Sequence, residues 1–92
     1  MIIPENLNTA FENAFEKVSK VRFEMAPDIR LQFYAYYKQA TSGDNFAHNR
    51  ESNVISAFKF NAWMQLKGMP AKEAKKAYIE LANNVLTKNK NQ

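Results

Sequence analysis

The stretch Tyr34-Ala35-Tyr36-Tyr37-Lys38-Gln39-Ala40-Thr41-Ser42-Gly43-Asp44, in a chain of 92 residues, joins an aromatic and basic segment to a turn. On a helix, Tyr34 and Lys38 are neighbours one turn apart, and Tyr37 lies on the adjoining row. Two phenol hydroxyls and an ammonium group then project from about one quadrant of the helix. Such a group can bind phosphate and hold a flat ring, although the same tyrosines also suit the edge of a core.

The apolar spacing predicts that this stretch ends the second of four helices. Pro27 suits the first position of that helix, because its φ is fixed and its missing N–H is not needed there. The turn-forming residues 41–44 around Gly43 should end this helix. Residues 44–52 should form a loop, and Pro70 should begin the last helix. The predicted helices lie at about residues 6–19, 27–41, 53–67 and 70–87.

Apolar residues at helical spacing predict the faces that meet in the core. The second helix is apolar nearly all round from Ile29 to Ala40, so more than one of its faces should be covered. We find no convincing strand or repeat, and we predict an all-α single domain over residues 1–92. In the other helices, the residues predicted to point inward are Leu7, Ala10, Phe11, Ala14, Phe15 and Val18, then Val54, Ala57, Phe58, Ala62, Trp63 and Leu66, then Ala74, Ala77, Tyr78, Leu81 and Val85.

The chain lacks the residues that most catalytic and metal sites need. It has no cysteine and only one histidine, so a thiolate nucleophile and a multi-histidine metal site are excluded. That histidine, His48, falls in the predicted loop, and we do not expect a histidine-based triad. Its two glycines are isolated, which excludes a glycine-rich phosphate loop. We therefore predict that the protein is not an enzyme and has no metal or cofactor.

The N-terminal residues Met1 to Glu5 have no basic start followed by a long apolar run, and no stretch approaches the roughly 18 apolar residues of a membrane span. We expect a soluble, cytoplasmic protein without a membrane span. The lack of cysteine suits a reducing compartment.

Charge is distributed unevenly along the chain, whose net charge is +4. From Lys59 to Lys90 there are seven lysines against two glutamates. A basic C-terminal third indicates an anionic partner such as nucleic acid, a phospholipid surface or a phosphorylated small molecule. A solvated helix face explains the same lysines equally well.

Beyond these patterns, the sequence resembles the acyl-CoA-binding protein family. The resemblance implies a four-helix up-down-down-up bundle that holds its ligand in a shallow bowl. It implies non-covalent binding, buffering and intracellular transport of medium- to long-chain fatty acyl-CoA, and we expect a monomer that serves enzymes using acyl-CoA. The matching residues span nearly the whole chain: Phe11-x-x-Ala14-x-x-x-Val18, Leu31-x-x-Tyr34-x-x-Tyr37-Lys38-Gln39-Ala40-Thr41-x-Gly43-Asp44, Lys59-Phe60-x-Ala62-Trp63-x-x-Leu66-Lys67-Gly68 and Glu73-Ala74-x-x-Ala77-Tyr78-Ile79.

The resemblance also implies a set of ligand-binding residues. In the family, motif tyrosines and lysines bind the adenosine 3′-phosphate end of the ligand, and the acyl chain lies in an apolar groove. Lysines at such positions supply charge-assisted hydrogen bonds to phosphate. The positions that match are Tyr34, Tyr37, Lys38, Lys59 and Tyr78, with Leu31, Lys20 and Ile55 as further candidates.

Several positions depart from the family's pattern. Ser19 stands where a lysine is usual, and Lys20 or Lys17 is the candidate substitute. The other departures put the preferred chain length in question while leaving the phosphate contacts in place. They are Arg30 for an apolar residue, Phe15 and Phe58 for smaller ones, and Ile55 for a lysine.

The alternative to acyl-CoA binding is a basic helical module that binds nucleic acid or another polyanion. The C-terminal lysine excess supports it, but these lysines define no recognition helix, so we do not expect nucleic acid as the partner. Domains of this family also occur fused to isomerases, and these 92 residues leave no room for a second domain.

Overall fold

The computed structural model describes residues 4–44 and 54–90, which contain four helices and no strand. This confirms the predicted all-α fold class. The helices are α1 (Pro4–Ser19), α2 (Pro27–Ser42), α3 (Val54–Met64) and α4 (Ala71–Lys90).

Proline and glycine set the limits of α2 as the sequence predicts. Pro27 lies at the start of the helix, and Asp28 in the first turn complements the positive end of the helix dipole. Gly43 follows the last residue with φ at +76°, a conformation that favours glycine. Its N–H donates to the carbonyl oxygen of Gln39 at 3.2 Å, which satisfies one of the carbonyls left open at the helix end.

The other helices differ from their predicted limits by a few residues. The helix α3 ends at Met64 rather than at residue 67, because the chain tightens into a turn in which Leu66 donates to Trp63 at 3.0 Å. The helix α4 continues to Lys90, beyond the predicted end at residue 87. Its last turns are anchored by Val85 and Leu86, which pack against the core, and no proline or glycine interrupts residues 71–90.

The helices lie side by side in the order α1, α4, α2, α3. The backbone of α4 packs against α1 and α2, whereas α3 packs only against α2. The molecule measures 40 × 33 × 16 Å, so its shortest dimension is little more than the roughly 10–12 Å diameter of one helix. The four helices therefore form a thin layer.

Side-chain contacts give the relative direction of α1 and α4. Near the start of α1, Asn8 contacts Lys75 of α4. One turn further along both helices, Phe11 contacts Tyr78. Since the contacts advance in the same direction, α1 and α4 are parallel.

The helix α2 runs opposite to α4. Phe33 of α2 contacts Tyr78 in the first half of α4. Six residues later along α2, Gln39 reaches back to Met69, which precedes α4. The two central helices are therefore antiparallel.

The helix α3 is parallel to α2. Tyr34 pairs with Lys59, and one turn later along both helices Lys38 pairs with Trp63. Combined with the other two helix pairs, this gives the up-down-down-up arrangement, which confirms the predicted topology.

The core lies where α1, α2 and α4 meet. Alanines on α4 flank Tyr78 at spacings of four residues and let the neighbouring helices approach closely. The buried residues of this core are Phe11, Ala14, Phe33, Ala40, Ala74, Tyr78 and Ala82.

Two phenylalanines predicted to point inward lie on the surface. Phe15 is 42% exposed and Phe58 is 56% exposed, so their predicted burial is wrong. The backbones of α1 and α3 each pack against a single helix, which covers only part of a wide apolar face. Trp63 is half-buried rather than fully enclosed. The side chain of Val54 lies outside the described residues.

Candidate functional site

Three of the predicted site residues lie together along the seam between α2 and α3. The Lys38 ammonium lies 4.9 Å from the centroid of the Trp63 ring. One turn earlier, the Lys59 ammonium lies 5.3 Å from the centroid of the Tyr34 ring. The two pairs are reciprocal, since each helix gives one cation and one aromatic ring. They place two positive charges about one helical turn apart.

These charges are held in place without being neutralised. An aromatic face attracts an ammonium group by about 0.5–1 kcal/mol at exposed sites, which orients the side chain at little cost to later binding. Within residues 4–44 and 54–90, no carboxylate forms an ion pair with Lys38 or Lys59. Lys59 is exposed and Lys38 is half-buried. Both can therefore bind an anionic oxygen without first breaking a salt bridge.

A buried amide fixes the C-terminal end of this seam. The Gln39 side chain is completely buried, and burying an amide is costly unless it is hydrogen-bonded. Its Nε2 donates to Oδ1 of Asp44 at 2.8 Å and to the carbonyl oxygen of Met69 at 2.9 Å. Its Oε1 accepts from Nε1 of Trp63 at 3.2 Å. One side chain thus ties the end of α2 to α3 and to the turn before α4.

Asp44 and Trp63 complete this network. The Asp44 carboxylate accepts the backbone N–H of Gly68 at 2.7 Å, and the Trp63 indole also donates to the carbonyl oxygen of Gly43 at 2.9 Å. The Gly68 N–H, followed by the Gln39 amide, lowers the pKa of Asp44 below its usual value. The network holds the Trp63 ring where it contacts Lys38. Sequence reasoning missed this network, although Gln39, Asp44 and Trp63 all stand in the motifs that carry the family resemblance.

Tyr37 faces α1 instead of α3. Its ring stacks on Phe15, with centroids 4.8 Å apart and planes 27° apart, and on Phe11 at 5.9 Å and 21°. Such offset stacking is a favoured geometry for aromatic pairs. Tyr37 is half-buried. The structure therefore places the Tyr37 ring against α1, about 100° around α2 from Lys38.

Tyr78 lies beneath this aromatic cluster. It is 2% exposed and meets Phe11 and Phe33 edge-on, with centroids 5.1 and 5.0 Å apart. Burial, with a smaller effect of Tyr37, raises the pKa of Tyr78 to about 12. In the described part of the chain, its hydroxyl has no hydrogen-bond partner. Tyr78 is a core residue here, and its predicted contact with a ligand remains a prediction.

A groove opens between α1, α2 and the start of α4. Its volume is about 530 Å³. On the wall of the groove, the Lys75 ammonium donates to Oδ1 of Asn8 at 2.6 Å. The lining combines aromatic rings with polar groups and consists of Asn8, Phe11, Glu12, Phe15, Tyr37, Ala40, Thr41 and Lys75.

The three further candidates are placed differently. Leu31 is half-buried on α2, one turn before Tyr34. Lys20 follows the end of α1 and pairs with Glu16 at 3.5 Å on an exposed surface, which is a weak interaction. Ile55 belongs to α3, but its side chain lies outside the described residues. Of the two candidates whose side chains are described, only Leu31 lies on a helix of the seam.

Other kinds of site find no support in the described residues. No group of three or more histidine, cysteine, aspartate or glutamate side chains there could hold a metal ion. None of the helices in residues 4–44 and 54–90 has the length and hydropathy of a transmembrane segment.

Comparisons with known proteins agree with this geometry. Residues 8–82 match the model of the family described as "Acyl CoA binding protein". The chain is 37% identical to the acyl-CoA-binding protein of Dictyostelium discoideum over 87% of its own length and 96% of that protein. It is 35% identical to the Saccharomyces cerevisiae acyl-CoA-binding protein, over 85% of its own length and 91% of that protein. The crystal structure of Oryza sativa acyl-CoA-binding protein 2 superposes with a TM-score of 0.88 at 26% identity, covering 94% of this chain and 97% of that one.

Proposed function

Because this chain belongs to the acyl-CoA-binding protein family, we propose that it binds, buffers and transports medium- to long-chain fatty acyl-CoA without covalent chemistry. The observation that carries the proposal is the reciprocal arrangement along the seam, where Lys38 and Lys59 are held on aromatic rings. Two ammonium groups that form no ion pair with a carboxylate of residues 4–44 and 54–90 suit a ligand with several phosphate oxygens.

The coenzyme head binds at this seam. Lys38 and Lys59 leave their aromatic partners and donate to phosphate. The hydrogen bonds to phosphate contribute more free energy than the cation–π contacts that are lost. The Tyr34 hydroxyl supplies a further donor beside them. Each charge-assisted hydrogen bond contributes about 1.5–3 kcal/mol. Phosphate therefore fixes the orientation of the ligand.

The acyl chain lies next to the same seam. Leu31 comes one turn before Tyr34 on α2, and the exposed Phe58 precedes Lys59 on α3. Burial of each CH₂ group contributes about 0.8 kcal/mol, so a 16-carbon chain supplies on the order of 10 kcal/mol before entropic costs. The acyl chain thus provides much of the affinity for the ligand, and its length modulates that affinity.

The biological setting follows from the ligand. A free long-chain acyl-CoA is a detergent with a reactive thioester, and a protein that covers the chain buffers it and delivers it to acyl-CoA-using enzymes. We place this activity in the cytoplasm and assign it to a monomer. Light scattering after size-exclusion chromatography, with and without ligand, tests the monomeric state, and a dimer would contradict it.

Calorimetry with palmitoyl-CoA, free CoA and palmitate tests the proposed function. We expect tight binding of palmitoyl-CoA and much weaker binding of the other two, because each carries only half of the recognised groups. Duplex DNA serves as a control polyanion and should bind weakly or not at all. Tight, salt-dependent binding of DNA together with no binding of palmitoyl-CoA would overturn the proposal in favour of a polyanion-binding module.

A further inference from the structure

Arg30 carries a positive charge that has no part in the proposed binding of phosphate. It precedes Tyr34 by one turn and Lys38 by two turns of α2, so the three side chains lie on one face of the helix. At a rise of roughly 1.5 Å per residue, Arg30 lies about 12 Å from Lys38 along the helix axis. Its side chain is exposed. Arg30 is therefore a second centre of positive charge, separate from the one that Lys38 and Lys59 form.

The charge of Arg30 does not stabilise α2. Arg30 is the fourth residue of the helix, near the positive end of the helix dipole, where a cation is disfavoured. No carboxylate of residues 4–44 and 54–90 forms an ion pair with its guanidinium, including that of Asp28 in the same turn. An anionic group beside Arg30 would be attracted by the guanidinium and by the dipole together.

The surroundings of Arg30 are those proposed for the acyl chain. Arg30 and Leu31 precede Tyr34 by four and three residues, so they flank it one turn earlier on α2. Leu31 and the exposed Phe58 border the region assigned to the chain. A plain alkyl chain that covers the guanidinium removes water from a charge and offers it no hydrogen-bond partner, which is costly. A chain that ends in a carboxylate offers two acceptor oxygens to the planar fork of donors.

We propose that Arg30 is a specificity-determining residue that recognises a carboxylate at the far end of the acyl chain, so that the protein binds the CoA esters of dicarboxylic acids. This inference rests on the proposed binding of acyl-CoA at the seam. The guanidinium pairs with the terminal carboxylate while the coenzyme head stays with Lys38 and Lys59. Because Arg30 and Lys38 are fixed on one helix, a single chain length fits both ends best.

Calorimetry with palmitoyl-CoA and hexadecanedioyl-CoA, whose chains have the same number of carbon atoms, tests the inference. The wild-type protein should bind hexadecanedioyl-CoA at least as tightly as palmitoyl-CoA. We expect Arg30→Met, which removes the charge, to weaken the binding of hexadecanedioyl-CoA about tenfold, or about 1.4 kcal/mol. The affinity for palmitoyl-CoA should stay unchanged or rise, because its chain no longer covers a cation. Unchanged circular dichroism will show that the variant retains the fold.

Two further comparisons separate direct pairing from general attraction between charges. Arg22→Met removes the same charge from another exposed position and should change both affinities by less than about twofold, because salt screens distant charges. Across the CoA esters of C10 to C20 dicarboxylic acids, the loss caused by Arg30→Met should be largest at one length. Arg30→Lys should retain part of the discrimination, since an ammonium group keeps the charge but lacks the planar fork.

Two results would overturn the inference. Equal effects of Arg30→Met on palmitoyl-CoA and hexadecanedioyl-CoA would mean that the stem of Arg30 covers the chain without recognising its end. An equal loss at every chain length, matched by Arg22→Met, would reduce the effect to the net charge of the protein. Failure of the proposed function is distinct, because the wild-type protein would then bind neither ester.

Discussion

Lys38 lies over the ring of Trp63, with its ammonium 4.9 Å from the ring centroid, and the same indole donates its N–H to the carbonyl oxygen of Gly43 at 2.9 Å. One side of Trp63 is thus held by the network around Gln39, and its π face orients a cation. The position of the Lys38 ammonium, which is predicted to bind phosphate, therefore depends on hydrogen bonds that the edge of the same indole makes.

Removal of the Lys38 ammonium should weaken ligand binding much more than folding. We expect Lys38→Ala to reduce the free energy of binding palmitoyl-CoA by about 1.5–3 kcal/mol, the value of hydrogen bonds to a charged group. The exposed Lys76 on α4 offers a matched control, and Lys76→Ala should bind normally. Calorimetry and urea unfolding measure the two quantities. Equal losses of binding and stability in Lys38→Ala would assign the residue a structural role.

Trp63 should report ligand binding by its fluorescence. It is the only tryptophan in the chain, and its ring contacts the Lys38 ammonium in the unliganded protein. If Lys38 turns towards phosphate, the electrostatic environment of the indole changes, and palmitoyl-CoA should shift its emission. In Lys38→Ala the free protein already lacks the cation, so we expect a smaller shift. A shift of the same size in both proteins would mean that Lys38 stays on the ring.

Gln39 should contribute far more to the free energy of unfolding than an ordinary polar residue does. Replacement by alanine leaves the Trp63 N–H, the Asp44 carboxylate and the Met69 carbonyl each with one partner fewer and opens a cavity. We expect Gln39→Ala to lower the free energy of unfolding by about 2–4 kcal/mol. Gln32→Ala, on the exposed face of the same helix, is the control and should change it by less than about 0.5 kcal/mol. Similar urea midpoints for both variants would exclude a structural role for the buried amide.

The raised pKa of Tyr78 predicts a loss of stability in strong base. The pKa is about 12 in the folded protein, against 10.0 for the unperturbed side chain. The contribution is complete below pH 10 and is lost as pH rises through 12, because the unfolded chain then releases the proton more readily. Between pH 9 and pH 11 this amounts to about 1 kcal/mol. Urea unfolding of Tyr78→Phe should lack this component, and an identical pH dependence in both proteins would refute it.

Phe58 should limit the length of the acyl chain rather than stabilise the fold. Since 56% of it is exposed, Phe58→Ala should change the free energy of unfolding by less than about 0.5 kcal/mol. In the wild-type protein, affinity should rise by somewhat less than 0.8 kcal/mol per CH₂ and then level off. Titration with C8 to C20 acyl-CoAs should show this plateau at longer chains in Phe58→Ala. Asn61→Ala, another exposed residue of α3, is the control. An unchanged plateau would mean that Phe58 does not border the chain.

The helices were predictable because their signals are local. Pro27 and Gly43 limit α2 through backbone geometry that any tertiary structure must respect. The inward face of α4 follows from the spacing of Ala74, Tyr78 and Ala82, since the other face is polar.

The sequence-based predictions are wrong where a helix has apolar residues on nearly all its faces, because no polar face then indicates which side is exposed. The helix α3 is apolar nearly all round, so its sequence cannot indicate that Phe58 faces solvent. The role of Gln39 depends on partners 5, 24 and 30 residues away in sequence, which no local pattern contains. The contact between the rings of Phe15 and Tyr78 is likewise a tertiary property, whereas the spacing along α4 did indicate that Tyr78 points inward. The roles of these residues in binding stay predictions until the variants are measured.

The placement of α4 between α1 and α2 has a consequence for synthesis on the ribosome. The contact between Asn8 and Lys75 spans 67 residues, and Ala74, Tyr78 and Ala82 supply the centre of the core. A nascent chain that has not yet released α4 from the exit tunnel holds α1 and α2 without the surface that joins them. Phe11 and Phe33 of the N-terminal helices therefore stay unburied, and the native core forms only after α4 has been translated and released.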